Sequence, residues 1–264
     1  MADKPPEPPA RLYKYRDTGK FTETVFNDRT LFFASPSAFN DPFDCGFQVL
    51  VTGAKNETVT EAMAWTTVQE KRPDLAPHEQ IGAAKEVASK LIATRREELE
   101  GIIIAKLSRD TNERVGICCF TEVNDDILMW SHYADYHRGI CLEFSPARSL
   151  LAAARPVEYG ERYPSLDLLS VVVNEDLRAT APWMLKKAKH WSYEKEWRVL
   201  DFEGGPGAKP LPPSCLTGVI MGCRISARNR ARVRRWVSDW PSEVTIYQAM
   251  QSRKSFRLEI EEVP

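Results

Sequence analysis

The alternation of apolar and polar positions predicts a chain built mainly from strands and interrupted once by helices. Short apolar runs typical of strands occur before residue 35, at 115–120 and 139–144, and again after residue 196. Between Thr58 and about Ser108 the apolar residues recur at helical spacing instead, most clearly at Ile81, Ala84, Val87, Leu91, Ile92, Leu99, Ile102 and Ile103. We therefore expect a helical insertion, or lid, at about residues 55–110.

Polar residues that favour helix starts predict three further helices. Asp126, with Asn124 and Asp125 before it, precedes an apolar helical pattern. Thr180 and Pro182 predict a helix over 181–190, and Ser226 predicts the start of an arginine-rich helix. Because strands and helices do not alternate regularly, we expect an α+β fold with a mixed or antiparallel β core. Residues 1–10 read as a disordered proline-rich tail and 11–264 as a single domain.

Composition narrows the classes of function. A formal charge of -1 gives no whole-chain argument for nucleic-acid or membrane binding. No apolar run is long enough to span a bilayer, and the first residues lack the apolar core of a signal peptide, so we expect a cytoplasmic protein. The six cysteines form no C-x-x-C pair, which predicts buried thiols and no metal site.

Two motifs place polar side chains among aromatic ones. The sequence FNDPFD carries Asn40, Asp41 and Asp44, which either cap neighbouring backbone amides or line a pocket. The sequence WSHYADYHRG puts His132 and Tyr133 on a predicted helix, where the histidine is either a core residue or a catalytic group.

A third motif, YEKEWRVL, carries two glutamates and an arginine at the start of a predicted strand. Since strand side chains alternate, Glu194, Glu196 and Arg198 should point to one side and Trp197 and Val199 to the other. This charged side is either a solvated edge or the catalytic part of an enzyme site.

These motifs, together with LYKYR (Leu12–Arg16), resemble a bacterial and phage family known as DUF2971, a domain of unknown function. The resemblance runs from Leu12 to about Arg224 and includes four motifs in the same order. It implies no reaction, so the chemistry must come from the residues themselves.

The Glu-x-Glu spacing also resembles ADP-ribosyltransferases of the Arg-Ser-Glu class. Arg16 ends the first predicted strand, Ser35 follows an aromatic strand, and Glu194 and Glu196 precede a later strand. Two departures are that Pro36 interrupts the serine motif and that about 160 residues separate Ser35 from Glu196, several times the separation expected from the resemblance. The resemblance implies an ADP-ribosyltransferase-like fold with NAD as substrate.

The same resemblance implies roles for single residues. Arg16 would hold a pyrophosphate oxygen, Ser35 would support the site, and Glu196 would bond the ribose 2′-hydroxyl while Glu194 acts on the acceptor. We expect catalytic roles for Glu196, Glu194 and His132 and binding roles for Tyr15, Arg16, Ser35, Asn40, Asp44 and Tyr133. Arg16, Asn40, Asp44, His132 and Glu196 should then line one cleft.

Other classes of function stay open. The first expectation is an NAD-dependent ADP-ribosyltransferase that serves as a toxin or phage-defence effector. The alternatives are a non-catalytic sensor that binds a nucleotide or nucleic acid and, after it, a metal-dependent nuclease. The nuclease would use Asp41, Asp44, Glu143 and Glu196 as metal ligands. We expect a nucleotide-type small molecule as ligand, and the macromolecular acceptor is either a protein or a nucleic acid. The arginine-rich helix is either a solvated amphipathic face or a phosphate contact.

Overall fold

The computed structural model describes residues 6–49, 55–147, 149–166 and 176–263. Residues 1–5 of the expected proline-rich tail lie outside this part. Residues 6–10 form neither helix nor strand. The described helices and strands confirm the α+β prediction.

The elements follow one another in an irregular order. The helices are α1 (Lys20–Asn27), α2 (Lys55–Lys71), α3 (Pro77–Ala93), α4 (Arg96–Arg114), α5 (Ile127–Tyr133), α6 (Ala181–Met184) and α7 (Ala227–Ser238). The first seven strands are β1 (Leu12–Arg16), β2 (Thr30–Phe33), β3 (Gln48–Val49), β4 (Gly116–Thr121), β5 (Ile140–Phe144), β6 (Arg155–Pro156) and β7 (Glu158–Gly160). The others are β8 (Ser165–Leu166), β9 (Lys186–Ala188), β10 (Glu196–Asp201), β11 (Gly207–Pro210), β12 (Leu216–Met221), β13 (Thr245–Gln251) and β14 (Leu258–Glu262).

One large mixed sheet organises the described residues. Its eight strands lie in the order β14-β13-β12-β5-β1-β4-β10-β6. Neighbours pair antiparallel except β12 and β13, which run parallel and are joined through α7. Three two-stranded pairings, β11 with β2, β3 with β8 and β7 with β9, lie beside it. The sheet brings β1, β4 and β10 side by side, although they are far apart in sequence.

Apolar clusters cover both faces of the sheet. On one face, Phe120, Phe144 and Trp197 pack with α1 and α7 through Phe26 and Trp236. Because side chains alternate along a strand, the neighbouring residues of the same strands point to the other face. Two smaller clusters lie there, one built around Trp183 and one around Trp130. Glu196 and Arg198 of β10 lie on this second face.

The helical block between β3 and β4 has three helices, α2, α3 and α4, where the pattern predicts helix from Thr58 to about Ser108. Its apolar residues do not form a separate core. Met63, Ile103 and Leu107 share a cluster with Ile117 of the sheet and Trp183 of α6. The block is therefore packed into the rest of the protein.

The prediction of one helix over 181–190 is wrong. The helix ends at Met184, and strand β9 follows, after which residues Lys189–Glu194 form a short 3-10 segment. Strand β9 pairs in parallel with β7, so long-range pairing overrides the local helical preference. The change matters because it carries Lys187 to the charged face of β10.

The solvated-edge interpretation of YEKEWRVL is also wrong. Strand β10 is paired on both sides, with β4 and with β6. The side chains of Glu196 and Arg198 are buried, as is that of Glu194 just before the strand. Elsewhere, within the described residues, no helix combines the length and apolarity needed to cross a bilayer.

Candidate functional site

Five buried charged side chains meet on the second face of the sheet. Arg198 binds Asp44 through two nitrogens at 2.9 and 2.7 Å and Glu196 through two at 2.7 and 2.9 Å. Lys187 Nζ lies 2.5 Å from Glu194, 3.1 Å from Glu196 and 3.5 Å from Asp44. We call Asp44, Lys187, Glu194, Glu196 and Arg198 the charge cluster.

The two glutamates of the cluster differ in electrostatic state. Burial by itself would raise the pKa of Glu196, but Arg198 and Lys187 outweigh it and lower this pKa to about 2. Burial raises the pKa of Glu194 above its ordinary value, despite the opposing effect of Lys187 and Tyr133. Glu194 is thus the carboxylate of this pair that takes up a proton more readily.

Hydrogen bonds from outside the cluster hold the glutamates in place. The hydroxyl of Tyr133 donates to Glu194 Oε1 at 2.7 Å, and the hydroxyl of Thr121 donates to the Glu194 carbonyl oxygen at 2.5 Å. The backbone N–H of Glu196 donates to the Tyr159 hydroxyl at 2.8 Å. Strands β4, β7 and β10 and helix α5 therefore fix the carboxylates jointly.

A cavity of about 130 Å³ opens above the charge cluster. All five cluster residues line it, together with the polar or aromatic residues Tyr13, Lys14, Tyr15, Phe39, Asn40, Phe120, Thr121 and Tyr133. Lys14 donates to the Cys119 carbonyl oxygen at 2.7 Å and lies over the Phe120 ring. We call this space the inner cavity. It is close in size to the roughly 150 Å³ that holds a benzene ring in an engineered core.

A larger cleft of about 850 Å³ adjoins the inner cavity. Tyr15 and Tyr133 line both spaces, so these two residues lie at the boundary between them. Arg16 and His132 line only the larger space, which we call the outer cleft. The Nε atom of Arg16 is buried and has no hydrogen-bond partner among the described residues. Carboxylates are also present in the wall of the outer cleft, at Asp17, Asp28 and Asp135.

The residues expected from the sequence therefore fall into three groups. Asn40, Asp44, Glu194 and Glu196 line the inner cavity, with Tyr15 and Tyr133 at its boundary. Arg16 and His132 lie in the outer cleft. Ser35 lines neither space; it precedes a short 3-10 turn, and its hydroxyl lies 3.3 Å from that of Ser37.

Two residues that contact the glutamates of the charge cluster have no feature in the sequence that marks them as site residues. Lys187 lies in a segment whose pattern predicts helix, and nothing in its neighbours marks it as a partner of Glu194. Tyr159 lies on a three-residue strand outside every motif. For Arg198 the alternation of the strand did place it beside Glu196, and the structure adds that it reaches Asp44, 154 positions away.

The four carboxylates considered as metal ligands have other partners. Asp41 accepts a hydrogen bond from Trp191 at 2.6 Å, and Asp44 and Glu196 bind Arg198. Glu143 accepts from Thr217 at 2.9 Å and from Tyr13 at 3.3 Å. Within the described part of the chain no group of three or more His, Cys, Asp or Glu residues is arranged to hold a metal ion.

Two cysteines lie beside the site, of which Cys45 is buried and Cys119 is partly buried. Cys45 lies 3.6 Å from Arg198, and burial raises the pKa of its thiol to about 12. Burial also raises the pKa of Cys119, which lines the inner cavity. Thiols with raised pKa values are poor nucleophiles, so these two cysteines are poorly suited to nucleophilic catalysis.

The comparison with protein families matches residues 129–199 to the family described as "Protein of unknown function (DUF2971)". The match confirms the resemblance to this family over a segment that begins in α5 and ends in β10. It includes Tyr133, Lys187, Glu194, Glu196 and Arg198. No curated protein and no solved structure matches the chain.

Proposed function

We propose that this DUF2971-type chain is an enzyme that acts on a nucleotide-type substrate, with transfer of ADP-ribose from NAD as its reaction. The observation that carries the proposal is the pair of adjoining spaces with different chemistry. The inner cavity holds the buried carboxylates, and the outer cleft holds Arg16 with a buried, unpartnered Nε. A dinucleotide needs both a small site for the reacting end and a cation for its phosphates.

The size and walls of the two spaces support this orientation of NAD. The inner cavity has room for one ring and is lined by the aromatic residues Tyr13, Tyr15 and Tyr133. The outer cleft, at about 850 Å³, falls in the range typical of cofactor sites. In the proposed complex, nicotinamide lies in the inner cavity, its ribose lies at the boundary beside Tyr15 and Tyr133, and the pyrophosphate lies beside Arg16.

The proposed reaction breaks the bond between ribose C1′ and the nicotinamide nitrogen. The bonding electron pair leaves with nicotinamide, which becomes neutral, and the ribose acquires oxocarbenium character. An oxygen or nitrogen of the acceptor then bonds to C1′ and gives up its proton. A carboxylate stabilises the positive charge at the ribose, and a carboxylate with a raised pKa accepts the proton.

The contacts of the two glutamates favour a division of labour. Both oxygens of Glu196 accept from Arg198, and one of them also binds Lys187. Glu194 accepts only from Tyr133 and Lys187 among its side-chain contacts with described residues, and its pKa is raised. In the proposed reaction Glu194 takes up the proton that the acceptor releases, and Glu196 stays ionised as the negative charge next to the ribose.

Glutamine variants test the proposal because they keep the shape of the side chain and remove its charge. Glu194→Gln and Glu196→Gln should each lower nicotinamide release by about a hundredfold or more, the usual effect of losing one key electrostatic group. NAD affinity, measured by calorimetry, should change little. Glu161→Gln, on the exposed surface, is the matched control and should keep full activity.

Binding is tested separately at the outer cleft. Arg16→Ala should weaken NAD binding, since a phosphate contact is made in both ground and transition states. If the wild-type protein binds NAD without releasing nicotinamide, with or without cell lysate as a source of acceptor, the chain is a sensor and not an enzyme. If it neither binds NAD nor releases nicotinamide, the proposal is wrong.

A further inference from the structure

A second cleft lies on the far side of α5 from the inner cavity. Met129 and Tyr133 of this helix face the inner cavity, whereas Ile127, Leu128 and Ser131 face the second cleft. Helical spacing puts these two sets on opposite sides of the helix. The other wall is the turn between β13 and β14, residues 252–257. The cleft has a volume of about 660 Å³, and we call it the hairpin cleft.

The charged side chains that line the hairpin cleft are those of arginine and lysine. Arg253, Lys254 and Arg257 line it and are exposed, and among the described residues no carboxylate lines it. Arg257 forms one solvent-exposed ion pair, at 3.4 Å from Glu259. Within the same described part, Arg253 and Lys254 form no ion pair. Among the described residues two of these cations thus have no ion-pair partner and the third has one exposed pair, so the lining of the cleft is positively charged.

Apolar side chains stand beside these cations. Phe256, at the tip of the turn, is 100% exposed. Ile127 and Leu128, on the opposite wall, are 42% and 45% exposed. An aromatic ring that is fully exposed between cations has no role in the core of the protein. It offers a flat surface on which an unpaired base can stack.

The floor of the cleft adds hydrogen-bonding groups. The Ser131 hydroxyl lies 3.1 Å from His137 Nε2. The other ring nitrogen of His137 is buried and has no partner among the described residues. The Trp130 ring stacks on the His137 ring from within the core and fixes its orientation.

We propose that the hairpin cleft binds a single-stranded nucleic acid. Phosphates would contact Arg253, Lys254 and Arg257, and one base would stack on Phe256, which is the combination used by proteins that bind single strands. A paired base in a duplex has no free face for this contact. The proposal goes beyond the proposed reaction with NAD and does not depend on it.

Fluorescence anisotropy with labelled oligouridylate and oligothymidylate tests the proposal on the full chain without NAD. We expect binding at low salt that weakens as salt rises, with a slope of about -2 in log K against log salt for three phosphate contacts. Lys254→Gln and Arg257→Gln together should reduce the size of that slope by about 1.4. The two oligonucleotides show whether the cleft prefers RNA or DNA.

Variants of the aromatic ring separate stacking from charge. Phe256→Ala should weaken binding by about fivefold or more, and Phe256→Tyr, which keeps the ring, should retain it. Lys85→Gln, an exposed charge on α3, is the matched control and should bind like the wild type. Because the altered side chains are exposed, all variants should keep the wild-type circular dichroism.

Three results would overturn the proposal. The first is the absence of oligonucleotide binding at low salt. The second is binding that none of the hairpin variants weakens more than Lys85→Gln does. The third is equally tight, Phe256-independent binding to acidic lipid vesicles, which would mean that the cations attract any anionic surface.

Discussion

Among single residues, Arg198 makes the largest number of described polar contacts in the charge cluster. Its side chain is fully buried and binds Asp44, Glu196 and the carbonyl oxygen of Met184. It therefore joins the FNDPFD segment and the end of α6 to β10. Lysine could not make the same contacts, because a single ammonium group lacks the planar fork that binds both oxygens of Asp44 and both oxygens of Glu196.

Removal of Arg198 tests this structural role. Arg198→Met leaves Asp44 and Glu196 buried without their main cation, so we expect the free energy of unfolding to fall by about 3–5 kcal/mol. Arg178→Met is the matched control, since Arg178 pairs with Glu203 on the surface, and it should cost less than about 1 kcal/mol. Urea denaturation measures both. Equal losses in the two variants would contradict the role of Arg198.

The depressed pKa of Glu196 predicts a dependence of stability on pH. This pKa is about 2 in the folded protein against an ordinary value of 4.5. Ionised Glu196 therefore stabilises the fold fully above about pH 4.5, and the contribution is lost as pH falls towards 2. Glu196→Gln should be less stable than the wild type at pH 7, and the difference should shrink between pH 4.5 and 3. A difference that stays constant over this range in urea denaturation would show that the charge is not responsible.

At the scale of elements, α5 is a short helix with residues of the site on one side and of the hairpin cleft on the other. Its N-cap is Asp126, whose side chain accepts from the N–H groups of Leu128 and Met129 at 2.8 and 2.9 Å. A helix of seven residues has little stability of its own, so its cap and its packing hold it in place.

The cap gives a direct prediction. Asp126→Ala should lower the free energy of unfolding by about 0.5–2 kcal/mol, whereas Asp126→Asn, which keeps an acceptor oxygen, should lower it by less. Thermal unfolding followed by circular dichroism measures both. If alanine and asparagine behave alike, the side-chain cap does not stabilise α5.

The junction between α5 and β5 needs glycine at position 139. A Cβ atom there would overlap the carbonyl oxygen of Arg16 and lie 2.9 Å from that of Ala134. The chain reaches this junction through Asp135, Tyr136 and His137, which all have positive φ, between 47° and 67°. Such backbone is unfavourable for residues other than glycine and persists only where packing enforces it.

Gly139→Ala should therefore displace the end of β1, because the overlap is with backbone that cannot turn away. We expect a loss of stability and a weaker affinity for NAD, since Arg16 lies at the displaced end. Gly82→Ala, at a helical position with free space around it, is the control and should be neutral or slightly stabilising. Calorimetry and urea denaturation of both variants measure the effect. Unchanged stability in Gly139→Ala would mean that the junction adapts.

Local patterns predicted the elements of this fold better than the site. The alternation in EWRVL placed Glu196 and Arg198 on one side of a strand, and Ser226 was expected to start α7, where its hydroxyl accepts from Asn229. Both are properties of a few adjacent residues. The pairing of Lys187 with Glu194 depends on β9 joining β7, and the reach of Arg198 to Asp44 spans 154 positions. Contacts of this kind arise from sheet topology, which no local pattern encodes.

At the scale of the whole molecule, the helical block supports the site from the side. Among its described residues none lines the inner cavity, yet Leu107 of α4 packs in one cluster with Trp183 and Met184. Met184 in turn supplies the carbonyl oxygen that binds Arg198. The block and the charge cluster are thus parts of one packed unit.

This continuity predicts cooperative unfolding. Leu107→Ala should cost about 2–5 kcal/mol and shift a single transition that covers both helical and aromatic signals. Lys85→Ala, on the exposed side of α3, is the comparison and should change little. An early, separate loss of helical signal in urea would mean that the helical block folds independently of the sheet.

The placement of α5 between the inner cavity and the hairpin cleft has a thermodynamic consequence. If an occupant of one space shifts the helix, the occupant of the other space experiences the same shift. The coupling free energy between the two ligands must then be reciprocal, so each changes the affinity for the other by an equal factor. The affinity for NAD would be measured with and without oligonucleotide, and the affinity for oligonucleotide with and without NAD. The two ratios should be equal, although the two ligands bind on opposite sides of α5.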